Sequence, residues 1–164
     1  MSTAVLSLGS NVGDRIGYLR LAVDGLANAL VTVSSVYETA PWGVTDQPDF
    51  LNAVCVVRDP ARDHWAWLGL AQTLEQRAER VRERRWGPRT LDVDVVTVDE
   101  VHSSDPRLLL PHPGTPSRAT VLIPWLEINP DARLPGHGPV ATLLGSLPDV
   151  ERSGVHRRAD LTLG

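Results

Sequence analysis

The sequence predicts one domain that mixes helices with strands, in the order strand, helix, strand, strand, helix, strand. Three observations carry this. Short apolar runs at residues 4–8, 31–37, 50–58 and 91–96 have strand length and are bounded by turn residues. Between the first and second runs, and between the third and fourth, apolar positions recur at intervals of three and four, the period of a helix with one buried face. The chain has 164 residues, enough for a single hydrophobic core, so residues 1–164 are read as one domain.

Each element follows from its residues. The run at 4–8 is succeeded by Gly9, Ser10 and Asn11, which reads as a buried strand ending in a turn. From Gly13 onward, Ile16, Leu19, Val23, Leu26 and Leu30 mark one helix face. Gly9 and Gly13 lack the third glycine of a dinucleotide fingerprint, so a cap and a tight turn are their predicted uses. After the second strand, residues 39–48 (TAPWGVTDQP) form a long loop rich in Pro and Gly, of a length that marks function or disorder in a compact domain. In the third strand, alternation puts Phe50 and Asn52 on one face and Leu51, Ala53 and Cys55 on the other. A ring beside an amide suits a flat polar heterocycle; a buried aromatic next to a backbone-bonded amide fits the same residues. Asp63 is the predicted cap of the second helix, whose stripe is Trp67, Leu68, Ala71, Leu74, Ala78 and Val81, with Glu75 beside it and Trp65 as packing or surface. Residues 115–128 have helical spacing interrupted by Pro124. The Gly- and Pro-rich tail offers a weak helix at 140–147 and a final strand at 161–163.

The chemistry concentrates in residues 80–96, RVRERRWGPRTLDVDVV. On a strand, Asp92 and Asp94 share one face while Leu91, Val93 and Val95 share the other. Two carboxylates held side by side repel, and a shared proton or a cation relieves this. Arg80, Arg82, Arg84, Arg85 and Arg89 precede them. Guanidinium forks match phosphate oxygens, and paired carboxylates hold Mg²⁺ that also ligates phosphate. A metal-bound polyphosphate between the two groups is the natural reading. Downstream, His112 lies between Pro111 and Pro113, held extended, and Arg118 follows with further donors.

Composition narrows the classes. The net charge of −4 argues against a dedicated nucleic-acid binder. Residues 77–89 hold six arginines against two glutamates, a local +4, which leaves −8 on the rest of the chain. A basic island in an acidic protein suits a compact anion. The chain has no lysine, which excludes a P-loop lysine. The single cysteine, Cys55, sits in an apolar run and reads as a small buried hydrophobe. No apolar stretch is long enough to span a bilayer and the first residues lack a basic signal region, so a cytoplasmic protein without a membrane partner is expected.

With these residues in view, the sequence resembles the 6-hydroxymethyl-7,8-dihydropterin pyrophosphokinases of folate biosynthesis. The resemblance runs from about residue 4 to 129 and is carried by LSLGSNVGDR, VSSVYETAPWG, DQPDFLNAV, RWGPRTLDVDVV, and LPHP with Arg118 and VLIPWLEINP. It implies an α+β, ferredoxin-like βαββαβ core with additional C-terminal elements. It also implies transfer of the β,γ-pyrophosphoryl group of ATP, as co-substrate, to the pterin hydroxymethyl oxygen, leaving AMP. By match to the motifs, Asp92 and Asp94 would hold two Mg²⁺ ions. Arg80 and Arg89, as catalytic groups, with His112 and Arg118, would contact ATP or its transferred charge; Glu75, Arg82, Trp86 and Arg107 match further positions near the nucleotide. Thr39, Trp42 through its backbone, Phe50 and Asn52 would form the pterin pocket. A monomer is expected, with association with neighbouring folate enzymes left open. Three departures stand out: Thr120 where many members carry a Phe covering the second pterin face, Glu79 where a glycine usually precedes Arg80, and a segment between Asp94 and His112 with no recognisable motif. The residues also suit two rival classes, a metal-dependent phosphohydrolase on Asp92 and Asp94 and a ferredoxin-like nucleic-acid-binding module using Trp86 and the arginines.

Overall fold

The computed structural model describes residues 2–40, 48–78 and 90–163. The N-terminal strand β1 (Ser2–Ser10) leads into helix α1 (Arg15–Gly25), and β2 (Leu30–Val33), β3 (Tyr37–Thr39) and β4 (Phe50–Asp59) follow. Helix α2 (His64–Arg77) then precedes β5 (Asp92–Val98). The strands pair antiparallel in the order β5-β1-β4-β3-β8, where β8 (Val155–Arg157) comes from the C-terminal region. β2 pairs with β4 further along from β3, so the two short strands occupy one sheet position. Counted this way, the core strands read fourth, first, third, second, the ferredoxin-like arrangement that the motifs implied. The predicted second strand at 31–37 is thus split: Ser34 turns aside and its hydroxyl accepts the Val54 amide in place of a ladder partner.

The sheet has two covered faces because its strands carry apolar residues at both parities. Ala4, Leu6, Leu8, Leu51, Ala53, Cys55, Val93 and Val95 meet Leu19, Ala22, Val23 and Leu26 of α1 and Trp67, Ala71, Leu74 and Ala78 of α2. On the reverse, Val5, Val54 and Val96 meet Val121, Leu122 and Trp125 of α3 (Ala119–Ile128). Beneath α3 lie the hairpin β6 (Arg133–Leu134) and β7 (Gly138–Pro139) and the short helix α4 (Val140–Gly145), with Leu134 and Val140 fully buried. Helix α5 (Asp149–Ser153) delivers the chain to β8.

Local chemistry sets the element ends. Gly13, at φ +74, makes the left-handed turn into α1, and the Asp14 carboxylate caps the Gly17 amide. Asp63 caps α2 by accepting from the Ala66 amide at 2.8 Å. The first helix ends at Gly25, earlier than its apolar period suggests, because Leu30 is taken by β2. Pro124 does not interrupt α3: Val121, Leu122, Pro124 and Trp125 are all buried, and this packing outweighs one missing amide donor. The expected strand at 161–163 is absent; β8 forms upstream instead, where its amides can pair with β3, and Leu161 and Leu163 pack against the core. Cys55 is fully buried, and burial pushes its thiol up to about 12.

Candidate active site

The site is built from one row of residues across the sheet. Register pairs Asp92 of β5 with Gly9 of β1, and Gly9 with Asn52 of β4, which pairs with Tyr37 of β3. One step along, Asp94 pairs with Ser7. By alternation all of these project on the face that carries α3, and both aspartates are half-buried there. Gly9 was read as the turn after β1, yet the strand runs on to Ser10 and places this glycine in its interior. A β-carbon on Gly9 would lie 3.4 Å from Asn52 Oδ1 and 3.4 Å from the Phe50 ring, so the bare position forms a floor between the carboxylates and the amide. A glycine inside a strand is the available signal for such a close approach.

Helix α3 begins and ends at opposite sides of this row. At its start is Arg118, whose guanidinium packs so close over Gly114 that a β-carbon there would sit 2.8 Å away. His112 stands beside β5, donating its amide to the Val96 carbonyl at 2.9 Å. Its Nδ1 accepts from the Gly114 amide at 3.3 Å, which leaves the proton of the neutral ring on Nε2. Burial holds the imidazole below its ordinary range, and the Arg118 charge pushes the same way against the opposing pull of Asp92. His112 thus lies within the influence of both Arg118 and Asp92 at the β5 side. At the far end of α3, Glu127 accepts from the Ser35 amide, the Ser35 hydroxyl and the Tyr37 hydroxyl, the last two at 2.7 Å.

The predicted pterin residues meet at the β3–β4 side. Thr39 pairs with Phe50, and the Asn52 amide donates to the Thr39 hydroxyl at 2.7 Å, which turns Asn52 Oδ1 toward Gly9. Thr39 is buried and Phe50 and Asn52 are half-buried. Glu75 is buried at the end of α2, where its carboxylate accepts the Val93 amide at 3.0 Å. It thereby satisfies a donor on the outer edge of β5, between the two aspartates, and fixes the strand that presents them. Arg107 is not brought to the row. It makes a two-point ion pair with Asp105, at 2.8 and 3.1 Å, and its guanidinium lies 4.8 Å from the centre of the Trp65 ring at the first turn of α2. That turn adjoins Ser2, at the other end of β1 from Gly9. Arg80, Arg82, Trp86, Arg89 and Trp42 lie outside the described residues.

Among the described residues no group of three His, Cys, Asp or Glu is gathered as a metal cage, so the hard donors on offer are Asp92 and Asp94. Two carboxylates on one strand face fit Mg²⁺, which takes one or two protein carboxylates and completes its shell with phosphate oxygens and water.

Comparison with known proteins gives the family. Residues 5–130 match the model of the family described as 7,8-dihydro-6-hydroxymethylpterin-pyrophosphokinase. The chain is 48% identical over 176 residues to the 2-amino-4-hydroxy-6-hydroxymethyldihydropteridine pyrophosphokinase of Mycobacterium leprae, covering 99% of this chain and 92% of that protein. It is 44% identical over 167 residues to the protein of the same name from Mycobacterium tuberculosis, with 94% and 89% covered. Among solved structures, Plasmodium falciparum HPPK-DHPS with pteroate aligns at a TM-score of 0.68 and 12% identity, over 88% of this chain and 44% of that one. At that identity the likeness concerns the fold, and the chain spans less than half the length of the fused proteins. Its match to the family model over most of its length, with relatives this similar, makes the chain a member of the 7,8-dihydro-6-hydroxymethylpterin-pyrophosphokinase family.

Proposed function

We propose that this chain transfers the β,γ-pyrophosphoryl group of ATP to the hydroxymethyl oxygen of 6-hydroxymethyl-7,8-dihydropterin, giving AMP and the pterin diphosphate in folate biosynthesis. The observation that carries it is the row Asp92, Gly9, Asn52, set in a chain of this family. β5 and β4 are two strand spacings apart, roughly 10 Å, which accommodates a phosphate chain at one end and a pterin edge at the other. The one residue between them has no side chain to obstruct the transfer path.

The roles divide accordingly. Phosphoryl-type transfer needs positioning and charge neutralisation more than covalent help, so a site of carboxylates, guanidinium groups and an imidazole suffices. Asp92 and Asp94 would hold two Mg²⁺ ions, which when bound neutralise the phosphate oxygens and orient them for in-line displacement. His112, neutral and with its proton on Nε2, donates to a phosphate oxygen, and Arg118 adds a fork for the same charge. Arg80 and Arg89 supply the catalytic guanidinium groups, and Arg82 and Trp86 line the nucleotide with them. Glu75 acts by fixing β5. Arg107 is held by Asp105 and packs on the Trp65 ring, apart from the row of Asp92, Gly9 and Asn52. Thr39, Phe50, Asn52 and Trp42 hold the pterin, Asn52 presenting its carbonyl oxygen to a ring N–H and Phe50 its face to the ring. No side chain is assigned as general base.

We place the reaction in the cytoplasm and assign it to a monomer of one domain. The fused HPPK-DHPS proteins are the precedent for association with a neighbouring folate enzyme. The test is nucleotide analysis after incubation with ATP, Mg²⁺ and the dihydropterin. AMP formed only when the pterin is present supports the proposal; ADP or inorganic phosphate formed equally without it overturns the proposal in favour of a phosphohydrolase.

A further inference from the structure

We infer that Arg15 and Glu38 are positioning residues of the pterin pocket: a single guanidinium ties together the two ends of the stretch between β3 and β4, and so holds Thr39 and Phe50 in the register that Asn52 requires. The inference rests on the assignment of Thr39, Phe50 and Asn52 to the pterin.

Arg15, in the first turn of α1, donates from Nη1 to Glu38 Oε2 at 2.8 Å and to the Asp49 carbonyl at 3.0 Å. Glu38 immediately precedes Thr39, and Asp49 immediately precedes Phe50, the cross-strand partner of Thr39. Asn11 adds a second tie on the same side, its amide donating to the Pro48 carbonyl at 3.1 Å. The other Glu38 oxygen accepts from Arg158 at 3.2 Å. Arg158 is itself fixed by two 2.9 Å bonds to Asp160 and by its amide on the Val36 carbonyl. Support for the pocket thus comes partly from a residue beyond the stretch that matches the family model.

Alternation along β3 points Glu38 away from the face that Tyr37 and Thr39 share, so the ion pair sits behind the pocket and touches no substrate. Its side chains are 26% to 31% exposed, and pairs so solvated add at most about 1 kcal/mol to stability. Position is the larger consequence. β3 has three residues, so its placement depends on such ties, and a shift of about 1 Å at Thr39 would break the bond that orients Asn52.

The test compares wild type, Arg15→Ala, Arg15→Lys, Glu38→Gln and the Arg15→Ala/Glu38→Gln double variant by calorimetry of dihydropterin and of a non-hydrolysable ATP analogue, with steady-state kinetics. Arg15→Ala should weaken pterin binding by about five- to twentyfold, with the ATP analogue within about twofold, because an unanchored pocket must be ordered on binding. KM for pterin should rise while kcat at saturation is largely kept. Arg15→Lys should recover part of the affinity, and the double variant should lose less than the two single losses combined, since both single changes act on the same Arg15–Glu38 bond. Unchanged pterin affinity in folded Arg15→Ala and Glu38→Gln, parallel loss of both ligands, or additive losses would each overturn the inference. Wild-type protein that binds no pterin would overturn the functional reading and this inference with it.

Discussion

Asp92 and Asp94 are the residues on which the account bears most heavily, and their setting makes them separable from the fold. Their side chains are half-buried on the α3 face, while Val93 and Val95 between and beside them fill the core on the other. Asp92→Ala or Asp94→Ala should therefore melt within a few degrees of wild type yet lose on the order of a thousandfold or more in turnover, the scale of several kcal/mol of charge stabilisation. Near-normal turnover at ordinary Mg²⁺ would contradict the metal assignment. Thr120 is the second testable residue, half-buried in the first turn of α3, two positions after Arg118. If one pterin face lies uncovered there, Thr120→Phe adds an aromatic contact of about 0.5 to 1.5 kcal/mol, or roughly two- to tenfold in pterin affinity. The gain should appear in KM and not in kcat, because stacking is equal in ground and transition states. Calorimetry that finds weaker binding in Thr120→Phe and a large loss in Trp42→Ala would show that Trp42 already covers that face. At this scale the sequence was informative where alternation alone fixes a direction, as for the Asp-x-Asp pair and for Phe50 with Asn52. It was silent on Gly9, because a glycine that ends a strand and one that leaves a floor inside it look the same until the neighbouring strands are in register.

At the scale of elements, α3 links the two sides of the site, and Glu127 is the bond by which its last turn grips the split strand. Burial would raise this carboxyl, but the bonds from Ser35 and Tyr37 outweigh it and hold the group below its ordinary 4.5. Folding thus favours the anion. The stability it contributes is fully present above that value and is lost as pH falls through the lower folded value. Glu127→Gln should cost on the order of 1 to 2 kcal/mol near neutrality, where three donors share a charged acceptor. The difference in melting temperature from wild type should shrink as pH falls below the ordinary 4.5 and through the lower folded value, as protonation weakens the wild-type bonds; a difference that stays constant through acid pH would contradict this. Tyr37, pushed up to about 12 by its own burial and by Glu127, remains a neutral donor throughout. The elements best read from sequence were those with strong period and a cap, β1, β4 and α2 with Asp63. Three readings failed for tertiary reasons. A strand at 31–37 was divided by the Ser34 bond to Val54, the break expected at Pro124 was overridden by burial, and β8 was found where β3 offered a partner.

For the molecule as a whole, the fold places its polar chemistry at one end of the sheet and leaves the other to packing. The β1 terminus at Ser2 is locked by Trp67, whose Nε1 donates to the Ser2 hydroxyl at 2.8 Å, while Gly9, near the opposite end, lies between Asp92 and Asn52. In the sequence, the basic run at 77–89 stands between α2 and β5, directly before the paired carboxylates, in an otherwise acidic chain. The order of the motifs along the sequence already implied this convergence, but the C-terminal contribution, with β8 on β3 and Arg158 on Glu38, could not be read from a tail without periodicity. The central claim is that two phosphoryl units move together from ATP to the pterin. ATP labelled at its β-phosphorus, incubated with Mg²⁺, the dihydropterin and the purified chain, tests this directly. The account predicts that the β label leaves the nucleotide and appears in the pterin diphosphate in step with unlabelled AMP. A β label that stays in ADP would show that the bond broken lies between the β- and γ-phosphorus, and would contradict the account.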